Sequence, residues 1–204
     1  NGILGDDNGN TDGFIAQGSS AGIWKNTTGI SSGANDGVVD LALHPSGDII
    51  VLGYYCLGSD RTGCNLTFTD NITLEEPSSS DDSGGIFIAR AAINGSSLEW
   101  VWVLQATDSI AIEAKKLSIS NNGKIAFSYV NLGLMEINGA NYPRGGALSI
   151  MQLDENGDFL TLTFFDSSSG LLEFNYHCYE PNGNLYVISS FIDSVDDGSE
   201  EGIQ

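Results

Sequence analysis

Short runs along this chain alternate apolar and polar positions with a period of two, the spacing of strands and not of helices. Ile125, Phe127 and Tyr129 alternate with Ala126, Ser128 and Val130, and β-branched and aromatic residues are frequent throughout. Polar turns that end in glycine break the runs. The run 38–43 passes through His44-Pro45-Ser46-Gly47 into 48–54. The run 116–120 passes through Asn121-Asn122-Gly123 into 124–129, and 173–179 passes through Glu180-Pro181-Asn182-Gly183 into 184–188. Each reads as strand, turn, strand, with the glycine supplying the positive φ that a tight hairpin needs. Helix signals are almost absent; 111–117 has the composition for a single turn but leads straight into a strand.

A second hairpin type interleaves with the first. One copy runs 85–93, turns at Asn94-Gly95 and returns through 98–103; the other runs 146–153, turns at 154–157 and returns through 158–162. Spacing between equivalent turn glycines gives a repeat of about 60 residues. The first copy is longer, and the excess falls around the loop between Cys56 and Cys64 and the polar run 75–82. Further short strands are expected at Leu66–Thr69, Ile72–Leu74 and 134–137. The predicted fold is all-β: β-propeller-like blades of about four antiparallel strands, in roughly three repeat units. Residues 1–13 and 192–204 read as acidic flanking segments and 14–191 as the repeat region. Because the last unit stops part-way, the expectation is a segment of something longer.

Charge narrows the partners. Seven Lys plus Arg against 27 Asp plus Glu give a net charge of −20 over 204 residues. Such a surface repels phosphate backbones and anionic headgroups, so nucleic acid and membrane insertion are not expected. It attracts divalent cations, although solubility alone accounts for it more simply. No apolar stretch approaches the ~20 residues of a spanning helix. Of the three cysteines, Cys56 and Cys64 flank a short Gly-containing loop and are spaced to close it as a disulfide; the alternative is two free thiols in a reducing compartment. Cys178, alternating with Phe174 and Tyr176, is expected to be a buried core thiol.

The ordered motifs resemble the SBBP-type repeat, a seven-bladed β-propeller-related unit of secreted microbial surface proteins. The matching stretches are 46–54, then Gly84-Gly85-Ile86-Phe87-Ile88-Ala89-Arg90, Asn94-Gly95 and Trp100. A second copy matches through 146–157, and a third through Asn182-Gly183-Asn184-Leu185-Tyr186-Val187. Phe14-Ile15-Ala16 followed by Trp24 looks like the tail of a preceding unit. The resemblance implies an extracellular structural or adhesive role and carries no catalytic residue to transfer. The chain departs from the pattern in its enlarged first unit and in having fewer copies than a closed ring of four to eight blades requires.

Candidate chemistry is sparse. Asp6, Asn8, Asn10 and Asp12 alternate, so their oxygens converge on one cation if the loop curls, and calcium favours such carboxylate-rich loops. Thr11 stands where the usual glycine would, and a flexible acidic terminus is the plainer reading. Asp154, Asn156 and Asp158 repeat the spacing, but the hairpin already explains them. N-glycosylation sequons start at Asn26, Asn65, Asn71 and Asn94, where composition alone yields about three. Trp100 and Trp102, one residue apart, are expected on one strand face, where they either stack on sugars or fill the gap between sheets, packing being preferred. His177 and Cys178 are neighbours on a strand and point to opposite faces, so they cannot act together. No enzyme is expected. The expected function is an extracellular structural subunit of a surface layer, sheath or filament, self-associating through stacked β-sheet repeats. The alternative is a carbohydrate- or cell-surface-binding module.

Overall fold

The computed structural model describes residues 10–58, 64–69, 71–77, 84–95, 97–108, 110, 112–142, 148–167, 172–191 and 195–201. All regular structure among them is antiparallel strand. In chain order the strands are β1 (Gly13–Gly18), β2 (Trp24–Ile30), β3 (Asn35–Leu43), β4 (Ile49–Leu57), β5 (Leu66–Thr69), β6 (Ile72–Leu74), β7 (Gly85–Asn94) and β8 (Ser97–Asp108). There follow β9 (Ile112–Ile119), β10 (Ile125–Asn131), β11 (Met135–Ile137), β12 (Ala140–Tyr142), β13 (Leu148–Leu153), β14 (Phe159–Ser167), β15 (Leu172–Tyr179), β16 (Leu185–Phe191) and β17 (Val195–Glu201).

The turns set the first level of order. In each of four, the first residue's amide donates to the carbonyl four positions on, and the glycine amide donates back to the first carbonyl. His44, Ser120, Asp154 and Glu180 open them. Gly47, Gly123, Gly157 and Gly183 close them at φ of 93°, 85°, 90° and 92°, a conformation in which any side chain is strained. The same turn therefore serves both hairpin types.

Joined hairpins make two sheets of one plan. Sheet 1 runs β3-β4-β7-β8, and sheet 2 repeats the order as β9-β10-β13-β14. The hairpin β1–β2 precedes sheet 1, and the hairpin β15–β16 follows sheet 2. Among the described residues the sheets do not close into a barrel or a ring. Their equivalence extends to irregularities: the pairing slips between Gln17 and Gly18, between Arg90 and Ala91, and between Gln152 and Leu153. Each slip leaves one extra residue on the return strand, just after Trp24, Trp100 or Phe159. Such a bulge reverses which face the following residues occupy.

The sheets stack face to face. One face of sheet 1 carries Ile50, Leu52, Ile86 and Ile88 against Leu117, Ile125, Phe127 and Met151 of sheet 2. The other face carries Ile49, Val51, Phe87 and Ala89 against Ile15 and Ile30 of the first hairpin. Period-two alternation thus buries both faces of a strand such as β4, which reads as a continuous apolar run for that reason.

The chain covers its own outer edges. After the second strand of sheet 2 it leaves as β11–β12, and β11 pairs with β8, the last strand of sheet 1. After β16 it returns as β17, which pairs with β14, the last strand of sheet 2. The hairpin β5–β6 leaves sheet 1 at the same point and lies beside β2. An unpaired edge is a template for wrong pairing, so covering it serves solubility and order together. Within the acidic flanking segment, Val195–Glu201 supplies β17.

Candidate functional site

Two clefts flank Tyr54 where β3 and β4 meet their neighbours. One, of about 540 Å³, is lined by Val39, Tyr54, Leu57, Ile112, Glu113 and Ala114. The other, of about 260 Å³, lies between the first hairpin and sheet 1 and includes Asp12, Phe14, Asp36 and Tyr54. Glycine makes room for the ring between them, since a Cβ on Gly37 would stand 2.6 Å from Tyr54.

Asp36 is the polar centre of the smaller cleft. It is fully buried. One carboxylate oxygen accepts from the Cys56 amide at 3.0 Å and from the Ser32 hydroxyl at 2.9 Å; the other accepts from the Ser32 amide. Burial pushes its pKa up to about 6 despite these three donors, and the Asp12 carboxylate adds to the rise. The donors come from the link between β2 and β3 and from Cys56 of β4, whose φ is 57°. With its oxygens so engaged and no exposed surface, Asp36 braces the junction between β2, β3 and β4 and presents nothing to a substrate. Sequence reasoning missed it, because the stretch Ser31-Ser32-Gly33-Ala34-Asn35-Asp36-Gly37 reads as an ordinary polar loop.

The expected sites fall as follows. Asp6 and Asn8 lie outside the described residues. Asn10 donates its side-chain amide to the Gly33 carbonyl at 2.8 Å, and Asp12 is half-buried at the smaller cleft. Among the described residues no group of three or more His, Cys, Asp or Glu is placed to hold a metal ion. Cys56 and Cys64 are joined as a disulfide with their Cα atoms 5.3 Å apart, tying the β5–β6 excursion to β4. Asn65, Asn71 and Asn94 are exposed, the last two at turns. Asn65 accepts from the Glu76 amide, and Asn94 donates to Glu99. Asn26 lies within β2, opposite Gln17.

Two expectations need correction. Trp100 and Trp102 do not share a face. The bulge between them pairs Trp102 with Arg90 and Trp100 with Ala91, which are adjacent and point oppositely. Trp100 packs edge-on to Phe68 at 4.8 Å on one side of sheet 1, and Trp102 packs under the Gly157 turn on the other. Cys178 is not a core thiol. It pairs with Tyr186 on the face of β15–β16 turned away from sheet 2, and it is exposed.

The histidines bind sheets to each other. The Ser46 amide and hydroxyl both lie within reach of His44 Nδ1, which fixes it as an acceptor, and the ring abuts Gly123 of the next sheet's turn. Burial and the Arg90 charge hold its pKa down. His177, 1% exposed, places Nδ1 2.8 Å from the Ser118 hydroxyl and Nε2 3.2 Å from the Lys116 carbonyl. A neutral ring that accepts at Nδ1 and donates at Nε2 satisfies both, and burial holds its pKa down to about 4. Cys178 faces the other way.

No protein-family model matches the chain, and neither does any curated protein or solved structure.

Proposed function

We propose that this chain is an extracellular structural subunit, not an enzyme, whose β-propeller-like blades stack within and between chains in a surface layer, sheath or filament. One observation carries the reading: positions that are buried between the sheets are exposed on the outermost faces. Leu117 is 2% exposed where sheet 2 meets sheet 1, while Leu43 on β3 is 70% exposed and Ile188 on β16 is 62% exposed. Large apolar side chains on a flat sheet face favour association with another such face. The recurring plan of sheets 1 and 2, and the likeness to secreted SBBP-type repeats, support the same reading. Two deeply buried polar groups, Asp36 and His177, are occupied in holding turns and strands together.

Electron microscopy of the purified protein, with and without a calcium chelator, tests the proposal. Ordered fibres or sheets are the expected outcome, and their loss on chelation would put calcium at the contacts, through the 6–12 run. Discrete monomers under both conditions would overturn it. The carbohydrate-binding alternative now rests on Trp24, which lies 71% exposed over Gly18; glycan binding abolished by Trp24→Ala would favour it.

A further inference from the structure

The hairpin β5–β6 has two unlike faces. Inward, Leu66 and Leu74 are buried in one apolar cluster with Val51 and Phe87 of sheet 1. Phe68 packs edge-on to Phe87 and Trp100, with ring centres 5.3 and 4.8 Å apart. Just past β6 the Glu75 carbonyl accepts from Tyr55 at 3.2 Å and from Gln105 at 3.1 Å, and the Cys56–Cys64 disulfide fastens the start of β5. Outward, Asn65, Thr67, Asn71 and Thr73 are all exposed. These are the acceptor and hydroxyl positions of two sequons, Asn65-Leu66-Thr67 and Asn71-Ile72-Thr73.

Composition accounts for the number of sequons in the chain but not for this placement. A strand turns residues i and i+2 to the same side, so each asparagine shares a side with its own threonine. Register then brings the two sequons onto one face: Thr67 pairs with Thr73, and their hydroxyls lie 3.4 Å apart. Asn65 stands at the base of that face and Asn71 at its tip, roughly 13 Å apart along the strands, which leaves room for a sugar on each.

We propose, building on the extracellular reading, that Asn65 and Asn71 are N-glycosylated, so that the outer face of β5–β6 carries two sugars. The Asn65 side-chain oxygen accepts from the Glu76 amide at 3.2 Å, and the Asn71 backbone amide donates to the Thr69 hydroxyl at 3.3 Å. Both contacts leave the side-chain nitrogen, the atom that takes the sugar, unengaged among the described residues. Asn94 differs, because its nitrogen donates to Glu99 at 2.9 Å. The disulfide beside Asn65 belongs to an oxidising compartment of the secretory route, where sugar transfer also takes place. In the transfer, Nδ2 bonds to the anomeric carbon of a lipid-pyrophosphate-linked oligosaccharide. The bond from that carbon to the pyrophosphate oxygen breaks, the lipid pyrophosphate leaves, and Nδ2 gives up one proton. The fold then has only to accommodate the product, and a hairpin held from its inner face does so without losing a core contact.

Intact-glycopeptide mass spectrometry of the protein from its native source tests the assignment. Sugar is expected on the fragments that contain Asn65 and Asn71, with Asn94 bare. When the chain is secreted from cultured eukaryotic cells, Thr67→Ala and Thr73→Ala should each remove one step of gel mobility, and the double variant should remove both. Thr67→Ser should keep the step. Both threonines are exposed, so these variants retain the fold, which circular dichroism checks. Unchanged mobility in either alanine variant would overturn the site concerned. Bare Asn65 and Asn71 in a native protein found outside the cell would overturn the two-sugar face and leave the extracellular reading standing. A native protein kept inside the cell, with Cys56 and Cys64 as thiols, would overturn both.

Discussion

The joint between sheets 1 and 2 and the joint between sheet 2 and the β15–β16 hairpin use the same positions with different chemistry. Sheet 1 presents Ile50, Leu52, Ile88, Trp102 and Leu104 to its neighbour. The equivalents on sheet 2 are Ala126, Ser128, Ile150, Thr161 and Thr163. Arg90 reaches from sheet 1 to the Glu155 carbonyl at 2.6 Å, and its equivalent Gln152 accepts from Tyr179 at 2.8 Å. Leu117, in the apolar joint, becomes His177 in the other. One backbone plan thus supports a dry joint held by burial of apolar area and a second held by small side chains and directed hydrogen bonds. The first is tolerant of small shifts; the second depends on donors and acceptors that stay matched.

The sharpest test is a truncation in each joint. Phe127 is fully buried in the apolar joint, and Phe127→Ala should cost about 3–5 kcal/mol, the transfer loss plus a cavity. Val187 shares the His177 face and is half-buried, so Val187→Ala should cost about 1 kcal/mol. Urea titration of both variants measures the difference. Equal losses would show that the two joints are alike in strength.

Acid should separate the joints next. His177 has a folded pKa near 4 against an ordinary 6.5. A lowered pKa stabilises the fold above pH 6.5, and that contribution is lost as pH falls through 4, to a limit of about 3 kcal/mol. Lys116 opposes protonation, and Asp40 favours it. Protection of β15 and β16 amides from hydrogen exchange should fall between pH 6.5 and 4 before that of β4 and β7. His177→Gln should remove this loss of protection in β15 and β16.

Asp36 acts with the opposite sign at the first hairpin. Its folded pKa near 6 exceeds the unfolded 3.8, so its contribution is full below 3.8 and is lost as pH rises through 6, by on the order of 2–3 kcal/mol. In the wild type the two groups offset each other between pH 6.5 and 4. Asp36→Asn should uncover a stability that falls steeply with acid, and His177→Gln one that rises. Parallel pH profiles for the two variants would refute the assignment of either group.

What the sequence made legible was what local chemistry decides. Glycine at 47, 123, 157 and 183 marks turns because those positions take a positive φ, and the short strands at Leu66–Thr69 and Ile72–Leu74 follow from their composition. Bulges were not legible. An extra residue after Trp100 leaves no compositional trace, yet it sends Trp102 into the opposite core and removes the paired-tryptophan platform. Cys178 was misjudged because alternation tells which residues share a face but not which face meets a neighbour. The edge-covering role of 195–201 was hidden for a similar reason: its acidic composition describes solvation, whereas its pairing with β14 is a long-range event. Asp36 reads as an ordinary loop aspartate until Cys56 and Ser32 converge on it.

The smallest expected effect lies along the first strands β3, β9 and β15, where Asp40, Lys116 and Tyr176 occupy one equivalent position in three successive layers. Lys116 Nζ stands 2.7 Å from Asp40 and 5.0 Å from the centre of the Tyr176 ring, so a single ammonium touches both joints. The lysine and aspartate side chains are 26% and 19% exposed, so water screens the pair and Lys116→Met should cost under about 1 kcal/mol. Asp40 keeps the Leu117 amide at 2.9 Å as a partner, which limits the loss on the apolar side. The ring contact has no such substitute. The variant should therefore loosen the β15–β16 hairpin more than sheet 1, and hydrogen exchange of β16 against β4 amides measures the ratio. Equal loosening on both sides would mean that the ion pair, and not the ring, carries what Lys116 contributes.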